Sequence, residues 1–267
     1  MAQTVETTTR RTAPEIFRNV ENSAHDELGR STRALAFSGI AGGLGMGLTG
    51  LGVASAQATL GPGHIQEFVS LLFYPIGFIS VIIGRAQLFT ENTLYPVALV
   101  LSERRHVLDT LRLWVVVFAC NVLGATLFAA IAIRAGALHS EVASALVLLG
   151  ERAVQGDARS IFVSGIFGGW IIALTAWTVS ASHWTIGQIA VVWLLTVVVG
   201  MGHLAHCIAS SGEILSAVLA RHVTWGSYAA WLAAATAGNI VGGVTFVTVL
   251  NFGQVSDHYL PVKNEEE

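Results

Sequence analysis

The chain has 267 residues, 53% of them hydrophobic and 12% charged, with a net charge of −3. Soluble globular chains carry about 25% charged residues, so a soluble domain is excluded, and no Lys/Arg block offers a nucleic-acid surface. The charges present are unevenly placed, with none in 34–66, 113–133, 160–212 or 222–256. A helix crossing a bilayer needs roughly 20 apolar residues, so these gaps are bilayer-sized and the longest holds two spans and a turn. The sequence therefore predicts an all-α polytopic membrane protein in contact with the lipid bilayer.

In chain order, residues 1–11 read as a disordered lead without the apolar core of a signal peptide. Thr12 and Glu15 form a capping box, Pro14 suits a first turn, and Ile16, Val20, Ala24 and Leu28 recur every fourth residue. This spells a short amphipathic helix at the membrane surface or on a neighbouring subunit. Apolar segments follow at about 34–58, 66–88, 93–102, 110–133, 160–181, 185–206, 212–220 and 226–251. Two, 93–102 and 212–220, are too short to span, and each follows a full-length segment after a polar interruption, Thr90-Glu91-Asn92-Thr93 or Ser210-Ser211-Gly212-Glu213. Each long-plus-short pair is read as one broken spanning unit, giving six units. The resulting organisation is a segment 1–33 with the amphipathic helix, a transmembrane domain 34–252 and a tail 253–267 ending in Glu265-Glu266-Glu267.

Orientation follows from the basic residues. With the N-terminus inside, Arg10, Arg11, Arg18, Arg30, Arg33, Arg104, Arg105, Arg112 and Lys263 are cytoplasmic, against Arg134, Arg152, Arg159 and Arg221 outside. Both termini are thus expected in the cytoplasm. Cys120 and Cys207 lie in apolar runs as small hydrophobes, and Trp114, Trp184 and Trp225 sit near segment ends as an aromatic belt.

The halves repeat. Ser38-Gly39-Ile40-Ala41-Gly42-Gly43 is answered by Ser164-Gly165-Ile166-Phe167-Gly168-Gly169, and Asn121-Val122-Leu123-Gly124-Ala125 by Asn239-Ile240-Val241-Gly242-Gly243. Three units per copy, about 34–133 and 160–252, is an odd number, so the second copy enters the membrane inverted. Inverted repeats with paired broken helices place a permeation site near the midplane. The glycine pairs are read as close helix packing, and Asn121 and Asn239, at mid-segment, as packing residues.

Three stretches, Gly84-Arg85-Ala86-Gln87-Leu88-Phe89-Thr90-Glu91-Asn92, Gly202-His203-Leu204-Ala205-His206-Cys207-Ile208-Ala209-Ser210 and Gly238-Asn239-Ile240-Val241-Gly242-Gly243, resemble the signature regions of the formate/nitrite transporter family. The resemblance spans about 14–252. It implies an aquaporin-like protomer in a homopentamer of the inner (plasma) membrane, each with a pore for protons and small monovalent anions such as formate, nitrite or hydrosulfide. It also implies that His206 is the central pore histidine and that Thr90 hydrogen-bonds toward it. By the same resemblance, Tyr74 and Phe78 on one side and Val199 on the other form apolar gates. A histidine can hand a proton to a weak-acid anion, which then crosses as the neutral acid.

The chain departs from the family pattern at Arg85, Gln87, His203, Ala205 and Ala209-Ser210, which marks a divergent branch. Arg85, Glu91 and Glu213 lie at or beside the breaks, and Arg85 is expected to bridge to Glu91 or Glu213, so that Arg85→Ala impairs assembly more than selectivity. His203 is a possible second pore histidine. A rival reading groups His203, His206 and Glu213 as a metal or enzymatic site, with His203 and His206 at i and i+3 of a helix. Others are a water or glycerol pore, whose paired Asn-Pro-Ala triplets are absent, and a scaffold that has lost transport. No metal, cofactor or catalysis is implied, and no nucleotide motif is present.

Overall fold

The computed structural model describes residues 10–61 and 63–258. The expectations placed on 1–9, Lys263 and Glu265-Glu266-Glu267 lie outside the described residues.

Helix α1 (Ala13–Leu28) starts as the capping box requires: the Thr12 backbone N–H donates to Glu15 Oε2 at 2.7 Å. Its buried face is Phe17, Val20, Ala24 and Leu28, with Ile16 only half-buried. The face is thus rotated slightly from the predicted one, because the Phe17 ring packs against Trp177 and Phe252 at 6.4 and 5.8 Å. The helix packs on its own chain. Arg11 Nη1 donates to Ser180 O at 2.6 Å, Arg112 Nη2 to Leu28 O at 2.7 Å, and His25 meets Glu103 at 2.8 Å.

Helix α2 (Thr32–Leu60) is capped by Ser31, whose Oγ accepts from Ala34 N–H. Residues 64–83 form two helices, α3 (His64–Leu71) and α4 (Pro75–Ile83), separated by a turn where Pro75 removes a backbone donor. After the first break come α5 (Tyr95–Glu103), which stays short, and α6 (Val107–Arg134). Helix α7 (Ser140–Ala153) lies between the apolar segments 110–133 and 160–181, where the sequence analysis expects no element; it buries Leu146, Val147 and Gly150. The second half runs α8 (Ala158–Ala181), α9 (Thr185–Met201), the second break, α10 (Ala209–Leu219) and α11 (Trp225–Gly243). Helix α11 continues through a π turn at Val244–Val249 into α12 (Leu250–Val255).

The halves pack by one rule: α2 crosses α6, and α8 crosses α11, at backbone distance. A Cβ on Gly43 would collide with the Asn121 carbonyl, and a Cβ on Gly169 with the Asn239 carbonyl. Small residues are what let membrane helices approach this closely. Helix α2 starts on the face that carries α1, whereas α8 starts on the opposite face, beside α7, where His222 meets Glu151 at 2.7 Å. The second half is therefore inverted, as the odd number of units requires.

Among the described residues five stretches, including Thr32–Leu60, Val107–Arg134 and Trp225–Val255, are long and apolar enough to cross a bilayer. The apolar side chains of Phe37, Ile65, Leu108, Val115 and Ile186 project outward, as hydrocarbon contact requires and water would penalise. Trp184 and Trp225 are also exposed at helix ends, consistent with an interfacial belt. Trp114 has a different role, since its indole N–H donates to Asn92 O at 2.8 Å and ties α6 to the first break.

Candidate functional site

Both breaks begin alike. Helix α4 ends with Arg85 at φ 57°, and Ala86 N–H donates back to Val81 O at 3.0 Å; α9 ends with His203 at φ 47°, and Leu204 N–H donates to Val199 O at 3.0 Å. These are left-handed C-terminal caps in which the N–H two positions past the cap closes on a carbonyl inside the helix. A non-glycine residue rarely adopts this backbone, and both breaks use one.

Beyond each cap the chain runs extended and is clamped by the companion helices. In the first break, Gln87 N–H donates to Ser38 Oγ at 3.1 Å and Phe89 N–H to Asn121 Oδ1 at 2.9 Å. Asn121 Nδ2 in turn donates to Gly39 O at 2.7 Å and Gln87 O at 2.9 Å. In the second break, Ala205 N–H donates to Ser164 Oγ at 2.9 Å and Cys207 N–H to Asn239 Oδ1 at 2.8 Å. Asn239 Nδ2 donates to Gly165 O at 2.8 Å and Ala205 O at 2.9 Å. The two clamps are the same device used twice. Asn121 and Asn239 are therefore the residues that hold the breaks open, a larger role than the packing assigned to them from sequence.

Clamping alternate residues leaves the intervening ones facing the other way, since extended backbone alternates its direction. Leu88 and His206 hold these matching positions. The backbone N–H groups of Leu88, Thr90 and His206 make no hydrogen bond among the described residues. His206 and Thr90, both fully buried, meet with Nε2 and Oγ1 2.8 Å apart. Ala209 N–H donates to His206 Nδ1 at 2.9 Å. An accepting Nδ1 carries no proton, so Nε2 donates to Thr90 Oγ1 and the threonine hydroxyl keeps its own proton to donate. The Phe78 ring stands edge-on to His206 with centroids 5.2 Å apart, and Tyr74 follows at 5.7 Å from Phe78.

A third element supports the junction. Thr93 Oγ1 donates to Thr90 O at 2.7 Å, and Thr248 Oγ1, from the π turn, donates to Thr93 O at 2.9 Å. The sequence analysis assigned nothing to Thr93 or Thr248. Thr93 shows only as the last residue of the first polar interruption, and Thr248 only as a hydroxyl in an apolar run.

Cavities approach the junction from both faces. On the α7 face one of about 670 Å³ is bordered by Glu67, Tyr74, Arg152, Val199, His203 and Glu213. On the α1 face one of about 220 Å³ is bordered by Glu27, Arg30, Arg85, Leu88, Glu91 and Tyr95. His206, Thr90 and Phe78 border neither cavity and are fully buried.

Two expectations are corrected by this layout. Tyr74 and Val199 border the same cavity, so they stand on one side of His206, because α4 and α9 pack together with the Tyr74 ring over Gly200. Arg85 does not bridge the breaks: it is exposed on the α1 face and makes no ion pair within 4.0 Å among the described residues, while Glu213 lies on the opposite face. The reason is the inversion itself, which points the two breaks to opposite sides. Arg85→Ala accordingly loses no buried pair.

His203 is exposed and meets only Glu67, at 3.9 Å. It lies in the break, so it does not share a helix face with His206. Among the described residues no group of three His, Cys, Asp or Glu side chains is placed to hold a metal ion.

Glu27, on α1 and outside the spanning helices, closes one wall of the smaller cavity. Its Oε2 is buried without a partner, and burial pushes its pKa up to about 7 against the opposing effects of the Gln87 hydrogen bond and the Arg30 charge. Below the ordinary carboxylate range both the docked and the undocked α1 hold the proton. Between there and about pH 7 only the docked state does, so docking weakens as pH rises through that window. Hydrogen exchange over 23–31, corrected for the intrinsic rate, is expected to be roughly tenfold faster at pH 8 than at pH 5, and Glu27→Gln to remove the difference. Equal protection of the wild type at both pH values would show that α1 docking is not proton-linked.

A sequence profile described as "Formate/nitrite transporter" matches residues 14–253. The "Inner membrane protein YfdC" of Escherichia coli (strain K12) is 32% identical over 246 residues, covering 91% of this chain and 79% of that protein. A "Probable formate transporter" of Methanothermobacter thermautotrophicus is 28% identical over 209 residues, covering 70% and 76%. Among solved structures, an "FNT family ion channel" superposes with a TM-score of 0.74 at 18% identity, covering 91% of this chain and 96% of that one. A "Pentameric formate channel with formate bound" superposes with a TM-score of 0.68 at 18% identity, covering 88% and 99%. The aquaporin-like fold of two inverted halves is shared with both.

Proposed function

Because this chain belongs to the formate/nitrite transporter family, a family of channels and transporters and not of enzymes, we propose that it moves small monovalent weak-acid anions, such as formate, nitrite or hydrosulfide, across the inner membrane as a homopentamer with one pore per protomer. Its termini lie in the cytoplasm, on the side that collects most of the arginines. The observation that carries this reading is the junction of two helix breaks at Thr90 and His206, closed in this conformation, with a cavity on each side.

An ion brought into apolar surroundings without partners costs tens of kcal/mol, the reason bilayers exclude it. Here the unpaired N–H groups of Leu88, Thr90 and His206 and the spare proton of the Thr90 hydroxyl supply donors fixed in advance by the asparagine clamps. Fixed donors need no reorganisation when an oxyanion arrives. Tyr74 and Val199 on one side and Phe78 and Leu88 at and below the junction supply an apolar collar that rejects hydrated ions by dewetting. A solute that sheds its charge by taking up a proton passes this collar most cheaply, which favours weak acids over anions of strong acids.

The test is uptake by sealed proteoliposomes of formate, acetate, lactate, nitrite, hydrosulfide, nitrate and chloride. One or more of the weak-acid anions is expected to enter at least tenfold faster than chloride. A preference for chloride or nitrate sinks the weak-acid assignment while leaving the pore, and movement of none of the seven sinks transport.

A further inference from the structure

Two carboxyl groups on the path have no part in the scheme above. Glu91 and Glu213 are each only 8% exposed. Neither side-chain carboxyl makes a hydrogen bond, or an ion pair within 4.0 Å, to any described residue. Neither is sealed from its cavity, since no oxygen of either is among the fully enclosed atoms that lack a partner. Glu213 borders the larger cavity and Glu91 the smaller one, on opposite sides of the Thr90 and His206 junction.

The site at Glu213 is built for its side chain. It projects from α10 over Gly50 of α2, where an added Cβ would come 2.6 Å from Glu213 Cγ. A burial this deep, without a partner, is costly unless the group has something to bind. The groups that share its cavity are Glu67 from α3, Tyr74 from the turn before α4, Glu151 and Arg152 from α7, and His203 from the break. Around Glu91 stand Asp26 and Glu27 from α1, Arg30 after it, Arg85 from the break and Tyr95 from α5. Carboxyl groups outnumber guanidinium groups in both cavities, which disfavours a bare anion waiting there. His206 borders neither cavity, so a waiting solute meets a glutamate before it meets the histidine.

We infer that Glu213 and Glu91 are the proton-exchange sites for the permeating weak acid, one on each side of the barrier; this rests on the weak-acid reading above. In the larger cavity the Glu213 O–H bond breaks as an O–H bond forms on the solute anion, and the electron pair stays on Glu213, leaving a carboxylate. The neutral acid crosses the barrier. In the smaller cavity its O–H bond breaks as an O–H bond forms on the Glu91 carboxylate, and the solute leaves as an anion. Each glutamate then re-equilibrates with the water of its own cavity, so one proton moves with each solute and the path runs equally in reverse. Exchange between two carboxylic acids of similar strength is close to thermoneutral, the condition for rapid transfer in both directions.

The test uses the full-length protein in liposomes containing a pH-sensitive dye, with formate as the probe. Wild type is expected to acidify the lumen by one proton per formate taken up. Glu213→Gln and Glu91→Gln, isosteric but unable to exchange a proton, are each expected to slow this at least tenfold, with Glu213→Asp recovering most of the rate. Formate uptake by wild type without lumen acidification overturns the inference and needs no variant. So does a wild-type rate in an assembled glutamine variant at either position, or a Glu213→Asp rate as low as that of Glu213→Gln. Failure of wild type to move any weak acid instead overturns the weak-acid reading.

Discussion

Asn239→Leu is expected to abolish recovery of folded protein, and Asn121→Leu to do the same from the other half. Each asparagine satisfies three backbone groups within the membrane interior: for Asn239 these are Cys207 N–H, Gly165 O and Ala205 O. Leucine keeps the branched skeleton, though with bulkier methyl groups, and offers no partner to any of them. Leaving a buried polar group unsatisfied costs about 1–3 kcal/mol, so the summed loss is several kcal/mol against a total stability of roughly 5–15 kcal/mol. The check is the monodisperse peak on size exclusion in detergent, with thermal unfolding of whatever is recovered. A Tm within a few degrees of wild type for either variant would mean that the breaks are held by something other than the asparagines.

Thr90→Val is expected to leave the fold intact and to lower weak-acid uptake by about tenfold to a hundredfold. Valine matches threonine in shape, and the bond from Thr93 Oγ1 to Thr90 O uses the backbone and is kept. What disappears is the acceptor 2.8 Å from His206 Nε2 and the hydroxyl proton that Thr90 has to spare, those of Thr93 and Thr248 being committed to carbonyls. The imidazole N–H is then stranded in a fully buried position, and a permeating oxygen loses a donor at the narrowest point. A loss of about 1–3 kcal/mol at the barrier corresponds to that range of rates. Thr90→Ser keeps the hydroxyl and is expected to stay within about threefold of wild type. Equal rates for wild type and Thr90→Val would remove the junction from the path.

Much of this was legible in the sequence, and the parts that were not share a cause. Charge-free gaps gave the spans because lipid tolerates few charges, and the polar interruption at Thr90–Thr93 marked the first break because only shielded backbone can leave a helix at that depth. The interruption read at Ser210–Glu213 instead lies inside α10, and the second break runs over 202–208, because Ser164 and Asn239 clamp the backbone of that stretch and not of the serines after it. The pairing of Thr90 with His206 followed from the resemblance and appears as a direct hydrogen bond. Helix α7 was missed because its 14 residues are too few to span and carry charges at both ends. Its packing of Gly150 against the Glu213 carbonyl is a tertiary fact that periodicity does not reveal.

Arg85 was misread for a more instructive reason. Its closeness in sequence to Glu91 and its analogy to the second break suggested a cluster, yet an inverted repeat sends equivalent positions to opposite faces. Arg85 and His203 hold such equivalent positions, each in a left-handed cap. The same symmetry, applied earlier, separates Glu91 from Glu213 and turns one supposed cluster into two sites. Asn121 and Asn239 looked like packing residues because neither lies at a break in the sequence; each reaches a break only because α6 and α11 pass behind it.

The most direct test of a through-path is modification of one cavity at a time. In a Cys120→Ser, Cys207→Ser background, His203→Cys and Arg85→Cys place one thiol at the mouth of each cavity, both at exposed positions. A bulky membrane-impermeant thiol reagent applied to the α7 face is expected to stop formate uptake through His203→Cys and leave Arg85→Cys untouched, with the reverse result from the α1 face. Complete labelling of both thiols with undiminished uptake contradicts a pore that runs between these two cavities.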